Sequence, residues 1–162
     1  MAREIILPNN GWRPRPYQLK LWNYLENGGR RAEVFWHRRA GKDDLALHFT
    51  ATAAMQKPAT YWHMLPEYAQ GRKAIWDAIN PKTNIRRIDE AFPDAIRKRY
   101  SDQKMFIEFI NGATWQVVGS DNYNSLVGSP PYGIIRSERA VSNPATDGYL
   151  APILLENGGW QI

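Results

Sequence analysis

The sequence predicts an α/β domain with a parallel sheet, and three observations carry that prediction. Two strand–helix units follow one another: an apolar run at 33–36 and helix formers over 44–56, then an apolar run at 59–64 and a helical pattern over 68–79. The junction of the first unit reads Trp36-His37-Arg38-Arg39-Ala40-Gly41-Lys42-Asp43, a tight Gly-Lys turn between strand and helix, which describes a phosphate-binding loop. Asn111-Gly112 separates two apolar-alternating runs, 105–110 and 113–118, the signal of a type I′ hairpin.

Composition sets the frame. A chain of 162 residues suits one domain with a sizeable core. Hydrophobic residues make up 43% and charged ones 23%, ordinary for a globular protein. Twenty-one Lys+Arg against 16 Asp+Glu leave a net charge of +5, which permits a polyanionic partner such as DNA or ATP without requiring one. The absence of cysteine excludes disulfides and thiolate metal sites, and fits a reducing cytoplasm. No apolar run approaches about 20 residues, so no membrane span is expected. Met1-Ala2-Arg3-Glu4 lacks the apolar region of a signal peptide.

Taken in order, residues 1–14 read as an extended arm. Pro16 opens a helix whose Leu19, Trp22 and Leu25 recur at helical spacing, and Gly28-Gly29 stop it. Gln18 is either part of a plain helix start or an amide able to pair with an adenine edge. The first turn of the helix after the loop carries unpaired N–H groups and a partial positive charge, so it attracts phosphate oxygens. Gly41 lets the backbone come close, and Lys42 reaches terminal phosphates as a point charge. Measured against G-x-x-x-x-G-K-[ST], Trp36 occupies the first glycine position and Asp43 the Ser/Thr position.

Pro58 and Pro66 bracket the second strand, and Ile75, Trp76 and Ile79 form the buried stripe of the following helix. Residues 82–104 are mixed and basic, with Arg86-Arg87 and Arg97-Lys98-Arg99 as either a solvated helix face or a DNA-facing patch. After the hairpin, Gly119 to Gly128 bound a polar loop. Tyr132-Gly133-Ile134-Ile135 form a short buried strand leading to Arg136-Ser137-Glu138. A carboxylate there can orient an attacking water and accept its proton, as ATP hydrolysis requires. Residues 145–156 read as a final helix ended by Gly158-Gly159. His37, His48 and His63 show no metal-ligand spacing: His37 lies in the loop, and the other two read as ordinary surface or core residues. No Ser/His/Asp motif is legible.

Six segments resemble, in order, the N-terminal ATPase part of the large terminase of tailed bacteriophages, the motor that packages DNA into capsids. They are Pro16-Tyr17-Gln18, His37 through Asp43, the stretch 66–76, Gly119-Ser120-Asp121-Asn122 with Ser125-Leu126-Val127-Gly128, Ser137-Glu138-Arg139-Ala140, and Glu156-Asn157-Gly158-Gly159-Trp160. Each is weak alone; six in order are specific. In such terminases the loop (the Walker A element) reads Arg-Arg-x-Gly-Lys, so a missing first glycine is no objection. The resemblance implies a P-loop NTPase fold of the RecA-like, ASCE kind, its mostly parallel sheet covered by helices on both faces and carrying a β-hairpin. It implies that residues 1–162 form a partial ATPase domain, incomplete at the C-terminus and without the nuclease domain that follows in the family.

Residue by residue, the resemblance implies ATP and Mg²⁺. Gln18 would contact adenine, and the backbone of His37, Arg38, Arg39, Ala40, Gly41 and Lys42 would cradle phosphates. Lys42 would bridge the β- and γ-phosphates, and Arg38 or Arg39 would stabilise charge on the transferred group. Asp43 would stand near Mg²⁺ in place of the hydroxyl, with Ser137 where many such ATPases have Asp. Glu138 would be the catalytic carboxylate. Double-stranded DNA, the terminase small subunit and the portal are the implied partners, with a homo-oligomeric ring for a full-length chain in the bacterial host cytoplasm. Two departures weaken catalysis. Arg136 and Arg139 replace apolar or aromatic residues, and in a strand residues 136 and 138 share a face, so Arg136 could pair with Glu138. By resemblance, the strand after Trp160 lies between the loop strand and the Glu138 strand. Its loss would open a gap of roughly 10 Å and leave two unpaired edges. The expectation is a truncated terminase, a prophage remnant or split gene product. The alternatives are a non-enzymatic remnant retaining at most nucleotide or DNA binding, and another P-loop ATPase such as a helicase.

Overall fold

The computed structural model describes residues 4–126 and 128–162. Val127, in the polar loop singled out above, lies outside them, as do Met1, Ala2 and Arg3 of the extended arm. Six strands form one sheet in the order β2-β3-β4-β1-β5-β6. They are β1 (Thr60–Leu65), β2 (Arg97–Ser101), β3 (Phe106–Phe109), β4 (Thr114–Gly119), β5 (Gly133–Arg136) and β6 (Trp160–Gln161). β4, β1, β5 and β6 run parallel, whereas β2, β3 and β4 are joined antiparallel. The expected mostly parallel α/β sheet is therefore present, with an antiparallel ribbon at one edge.

Strand periodicity divides the core between two faces. On β1, Tyr61 and Leu65 join the cluster that holds Trp22 and Leu25 of α1 (Leu19–Glu26), Leu45 and Phe49 of α2 (Lys42–Gln56) and Ile88 of α4 (Arg87–Ala91). Trp62 and Met64 join Val118, Ile134, and Leu150 and Leu154 of α5 (Ala145–Asn157). Helices thus cover both faces, as expected. Gly133 permits the close approach of β5 to its neighbours, since a Cβ there would meet the Trp160 ring at 2.4 Å.

Four local expectations need correction. The helix expected over 68–79 is α3 (Tyr68–Gly71) followed by a π-helical turn, Arg72–Trp76, closed by Asp77 N–H donating to Arg72 C=O at 2.7 Å. The basic 82–104 stretch contains an extra strand, β2, which periodicity missed because a largely exposed edge strand shows little apolar alternation. The hairpin turn is not type I′, because Asn111 lacks a positive φ; Gly112 has φ 89°, and its N–H donates to Phe109 C=O at 3.0 Å. That is a three-residue connection with glycine in the left-handed position. Asn111 Nδ2 instead donates to Ala54 C=O of α2 at 2.8 Å, pinning the tip to the helix. Finally, the run at 33–36 forms no strand: Arg31 makes a single parallel bridge to Gln161, and residues 33–36 make no backbone–backbone hydrogen bond among the described residues.

Candidate functional site

Helix α2 starts at Lys42, and Gly41 caps it with φ 77° and ψ 31°. That left-handed conformation favours glycine, and a Cβ there would also lie 3.0 Å from Gln18 Nε2. Arg39, two residues earlier, adopts φ 63° without that freedom. Backbone strain of this kind persists only where the surroundings enforce it. Here they do. Gln18 Nε2 donates to Ala40 C=O at 2.8 Å and to Gly41 C=O at 3.3 Å. Tyr17 Oη donates to the same Ala40 oxygen at 2.9 Å, and Arg15 N–H donates to Gln18 Oε1 at 2.9 Å.

Gln18 is 2% exposed, and its amide is engaged on the loop backbone. It acts as a brace, so pairing with an adenine edge would require giving up one of these bonds. Lys42 Nζ donates to Trp36 C=O at 2.9 Å, folding its ammonium back over the loop. His37 Nδ1 lies 2.6 Å from Arg38 C=O. The side chains of Arg38 and Arg39 are exposed and make no hydrogen bond or ion pair among the described residues.

The two ends of the loop, Trp36 at one and Lys42 with Asp43 at the other, belong to one wall of a cleft of about 880 Å³, a size usual for ligand pockets. Val34, Trp36, Lys42 and Asp43 line this wall; Ile135, Ser137, Glu138 and Arg139 line the other; Gln161 and Ile162 lie at its foot. At that foot the pairing is regular: Ala32 N–H donates to Gln161 C=O at 3.1 Å, and Arg136 N–H donates to Ile162 C=O at 2.7 Å. Beyond it, no strand lies between the two walls among the described residues. One ion pair spans the cleft, Arg139 Nη1 to Glu33 Oε1 at 2.6 Å.

The structure brings Asp43 and Ser137 together: the Ser137 hydroxyl donates to Asp43 Oδ1. It adds a residue the sequence reading passed over. His63 of β1, 0% exposed, places Nε2 at 2.9 Å from Ser137 Oγ and 3.4 Å from Asp43 Oδ1. Strand parity explains the meeting, because Tyr61, His63 and Ile135 face α2 and so does Ser137. The signal was there in β1 periodicity, but only the β1–β5 pairing, with His63 opposite Ile135, reveals the contact. Burial pushes the Asp43 carboxyl upward, but the hydrogen bond and charge of His63, the Ser137 hydroxyl and the Lys42 charge outweigh it, so Asp43 lies below its ordinary value of 3.8. The three residues are not a hydrolase triad, since Asp43 and Ser137 both meet Nε2 and Nδ1 has no partner.

The expected Arg136–Glu138 pair does not form. Arg136 lies on the α5 face, where it donates to Asp147 Oδ1 and, at 2.7 Å, to Thr146 Oγ1. Strand β5 ends at Arg136, and Glu138 adopts φ 57°, which breaks the alternation on which the expected pairing rested. Glu138 is exposed at the cleft, and its carboxylate has no side-chain partner among the described residues. No three His, Asp or Glu side chains gather as a metal cluster among the described residues. Mg²⁺ takes oxygen donors, and Asp43 Oδ1 with Ser137 Oγ supplies two hard oxygens beside the loop, so the donor chemistry fits. No described helix is long and apolar enough to cross a membrane.

No family model matches the sequence, and no curated protein matches it. Its fold is similar to that of the large terminase ATPase domain of Thermus phage P74-26. A variant of that domain superposes with a TM-score of 0.66 at 19% identity, covering 93% of this chain and 64% of that one. A second structure of the domain gives 0.59 at 19% identity, covering 93% and 68%. The chain therefore spans 64% of the length of the first of these domains, and at this identity the likeness is one of fold.

Proposed function

We propose that this chain is the nucleotide-binding core of a DNA-packaging motor of the large-terminase type, with ATP as substrate and Mg²⁺ as cofactor. One observation carries the reading: Lys42 and Asp43 at the start of α2 face Ser137 and Glu138, just past the end of β5, across one cleft. The likeness of fold supports it. The loop and the first N–H groups of α2 bind phosphate oxygens, and Gln18 and Tyr17 hold the loop in shape for them. Lys42 exchanges Trp36 C=O for a phosphate oxygen. Arg38 and Arg39 supply free guanidinium groups for bidentate contact with phosphate. Asp43 and Ser137 would hold Mg²⁺, which when bound would supply positive charge to neutralise the phosphates. Glu138 orients the attacking water and accepts its proton. Double-stranded DNA, a small subunit and a portal are the partners, with the motor assembled as a ring in the host cytoplasm.

The experiment is Mg²⁺-dependent ATP hydrolysis and ATP binding in the wild type, Lys42→Ala and Glu138→Gln. Loss of both functions in the first variant, and of hydrolysis alone in the second, supports the reading; turnover untouched by either sinks it. A second reading, binding without turnover, is favoured by the unpaired 33–36 segment, because no strand fixes the separation of Lys42 from Glu138. Its signature is a wild type that binds ATP and hydrolyses none. DNA-stimulated unwinding would point to a helicase instead.

A further inference from the structure

We propose that His63, Asp43 and Ser137 together form a divalent-metal site that selects Mn²⁺ over Mg²⁺, an inference that rests on the nucleotide-site reading and sharpens it. Mg²⁺ binds through oxygen ligands and retained water, whereas first-row transition ions accept an imidazole nitrogen more readily, and among them Mn²⁺ is the one that also suits carboxylate and water oxygens as Mg²⁺ does. His63 brings such a nitrogen to the Asp43–Ser137 pair. Nε2 is 2.9 Å from Ser137 Oγ and 3.4 Å from Asp43 Oδ1, and the third edge is the Ser137–Asp43 hydrogen bond. Ligands about 2.1 Å from one ion are separated by about 3.0 Å at right angles and about 3.4 Å in a tetrahedron. The two separations from Nε2 match neighbouring vertices around a single ion, and binding one would part the Ser137 and Asp43 oxygens from their mutual hydrogen bond.

The backbone holds the arrangement in place. His63 sits in the middle of β1 with 0% exposure, opposite Ile135 of β5. Ser137 N–H donates to Met64 C=O at 2.9 Å, which fixes the serine beside β1. Asp43 is on the first turn of α2. The His63 ring meets Trp115 edge-on with centroids 6.3 Å apart, and Nδ1 is buried without a partner, so Nε2 is the nitrogen that makes its polar contacts. Its polar engagement is with the two oxygens at the end of the phosphate loop. The carboxylate and the hydroxyl are exchanged relative to the usual phosphate-loop arrangement, and the nitrogen is added beside them.

The test is Mn²⁺ titrated alone into the full chain, followed by electron paramagnetic resonance, with Mg²⁺ as competitor. The expected result is Mn²⁺ binding at least about tenfold tighter than Mg²⁺, with a directly coordinated nitrogen visible in the pulsed spectrum. His63→Gln leaves an oxygen donor in place. It should lose the nitrogen coupling and about tenfold in Mn²⁺ affinity while changing Mg²⁺ affinity less than twofold. A wild-type spectrum without nitrogen coupling, or an unchanged preference in the variant, overturns the proposal. Should His63→Gln fail to fold, as checked by circular dichroism, the wild-type spectrum alone decides. Binding of a fluorescent ATP analogue to the same preparation separates the two readings. Nitrogen coupling without nucleotide binding removes the functional reading and keeps the metal site; the reverse removes only this inference.

Discussion

The sheet is held by different means at its two ends. On the β2-β3-β4-β1 side, ladder hydrogen bonds run along every strand, and large aromatic rings fill the space beneath. Trp115 stacks on Trp76 with centroids 6.1 Å apart and meets Phe92 at 4.9 Å, while Phe92 meets Phe109 at 5.4 Å. All four rings are fully buried. On the β5-β6 side, β6 is two residues long, the next segment makes one bridge, and Phe35 is 89% exposed. There, side chains take over the work of a ladder: Gln18, Tyr17 and Lys42 brace the loop, and the Glu33–Arg139 pair crosses the cleft. The loop at 37–43 and Glu138 both belong to the second side. The densely packed side supplies His63, from a strand paired on both edges, and the thin side supplies the cleft walls.

The largest effect should come from the dense side. Trp115→Ala removes a fully buried ring from that cluster and should cost about 3–5 kcal/mol in urea unfolding. A cost under about 1 kcal/mol would mean the aromatic cluster is not what holds this end. The next effect is a pH dependence at His48, whose ring stacks on Trp12 at 4.4 Å with both nitrogens buried and unpartnered. Burial lowers its pKa from 6.5 to about 4, against the opposing charges of Asp44 and Glu90. Between those values the unfolded chain binds the proton and the folded chain does not. Stability should therefore be complete above 6.5 and fall by up to about 3 kcal/mol by pH 4. His48→Phe should flatten that limb. A separate acid limb belongs to the carboxylates held below 3.8, namely Asp43, Asp89 beside Arg86 and Arg97, and Asp147 beside Arg136; it is lost only as pH falls below that value.

The thin side should respond less in stability and more in the loop. Gln18→Ala removes the amide that braces Ala40 and Gly41, for about 1–3 kcal/mol, and should speed amide exchange across residues 37–42. Unchanged exchange there would show that the loop holds its shape without the brace. The smallest effect is Glu33→Ala, which removes the pair with Arg139 and leaves the Arg139–Asp147 contact in place. The pair is exposed on both sides and should contribute about 0–1 kcal/mol by thermal unfolding. A larger loss would mean that the salt bridge, and not the foot of the ladder, keeps the cleft walls together.

The same contrast explains what the sequence revealed. The loop, α2, β1, the hairpin and β5 were legible because each is a local pattern: Gly-Lys before helix formers, apolar alternation, Asn-Gly between strands. What failed depended on partners. Residues 33–36 look like a strand, but a strand needs a neighbour, and among the described residues none pairs with them. β2 hid because its outward residues are charged. The Arg136–Glu138 pairing followed from strand parity, and Glu138 breaks that parity by turning left-handed at the strand end. Asp43 and Ser137 stand out separately in the sequence and meet in the fold, whereas His63 joins them only through the β1–β5 register, which no spacing within one segment reveals.

The central claim is that the loop from His37 to Asp43 receives the phosphates of a nucleotide, with Lys42 as the cation that meets them. Hydrogen exchange of amides 37–44, with and without Mg²⁺ and ATP, tests it most directly in the wild type and Lys42→Ala. The account predicts that ATP at about 100 times its Kd slows exchange across the loop and raises wild-type stability by about 2.7 kcal/mol, with neither change in the variant at the same concentration. Equal protection in both proteins, or protection confined to segments away from the loop, would contradict it.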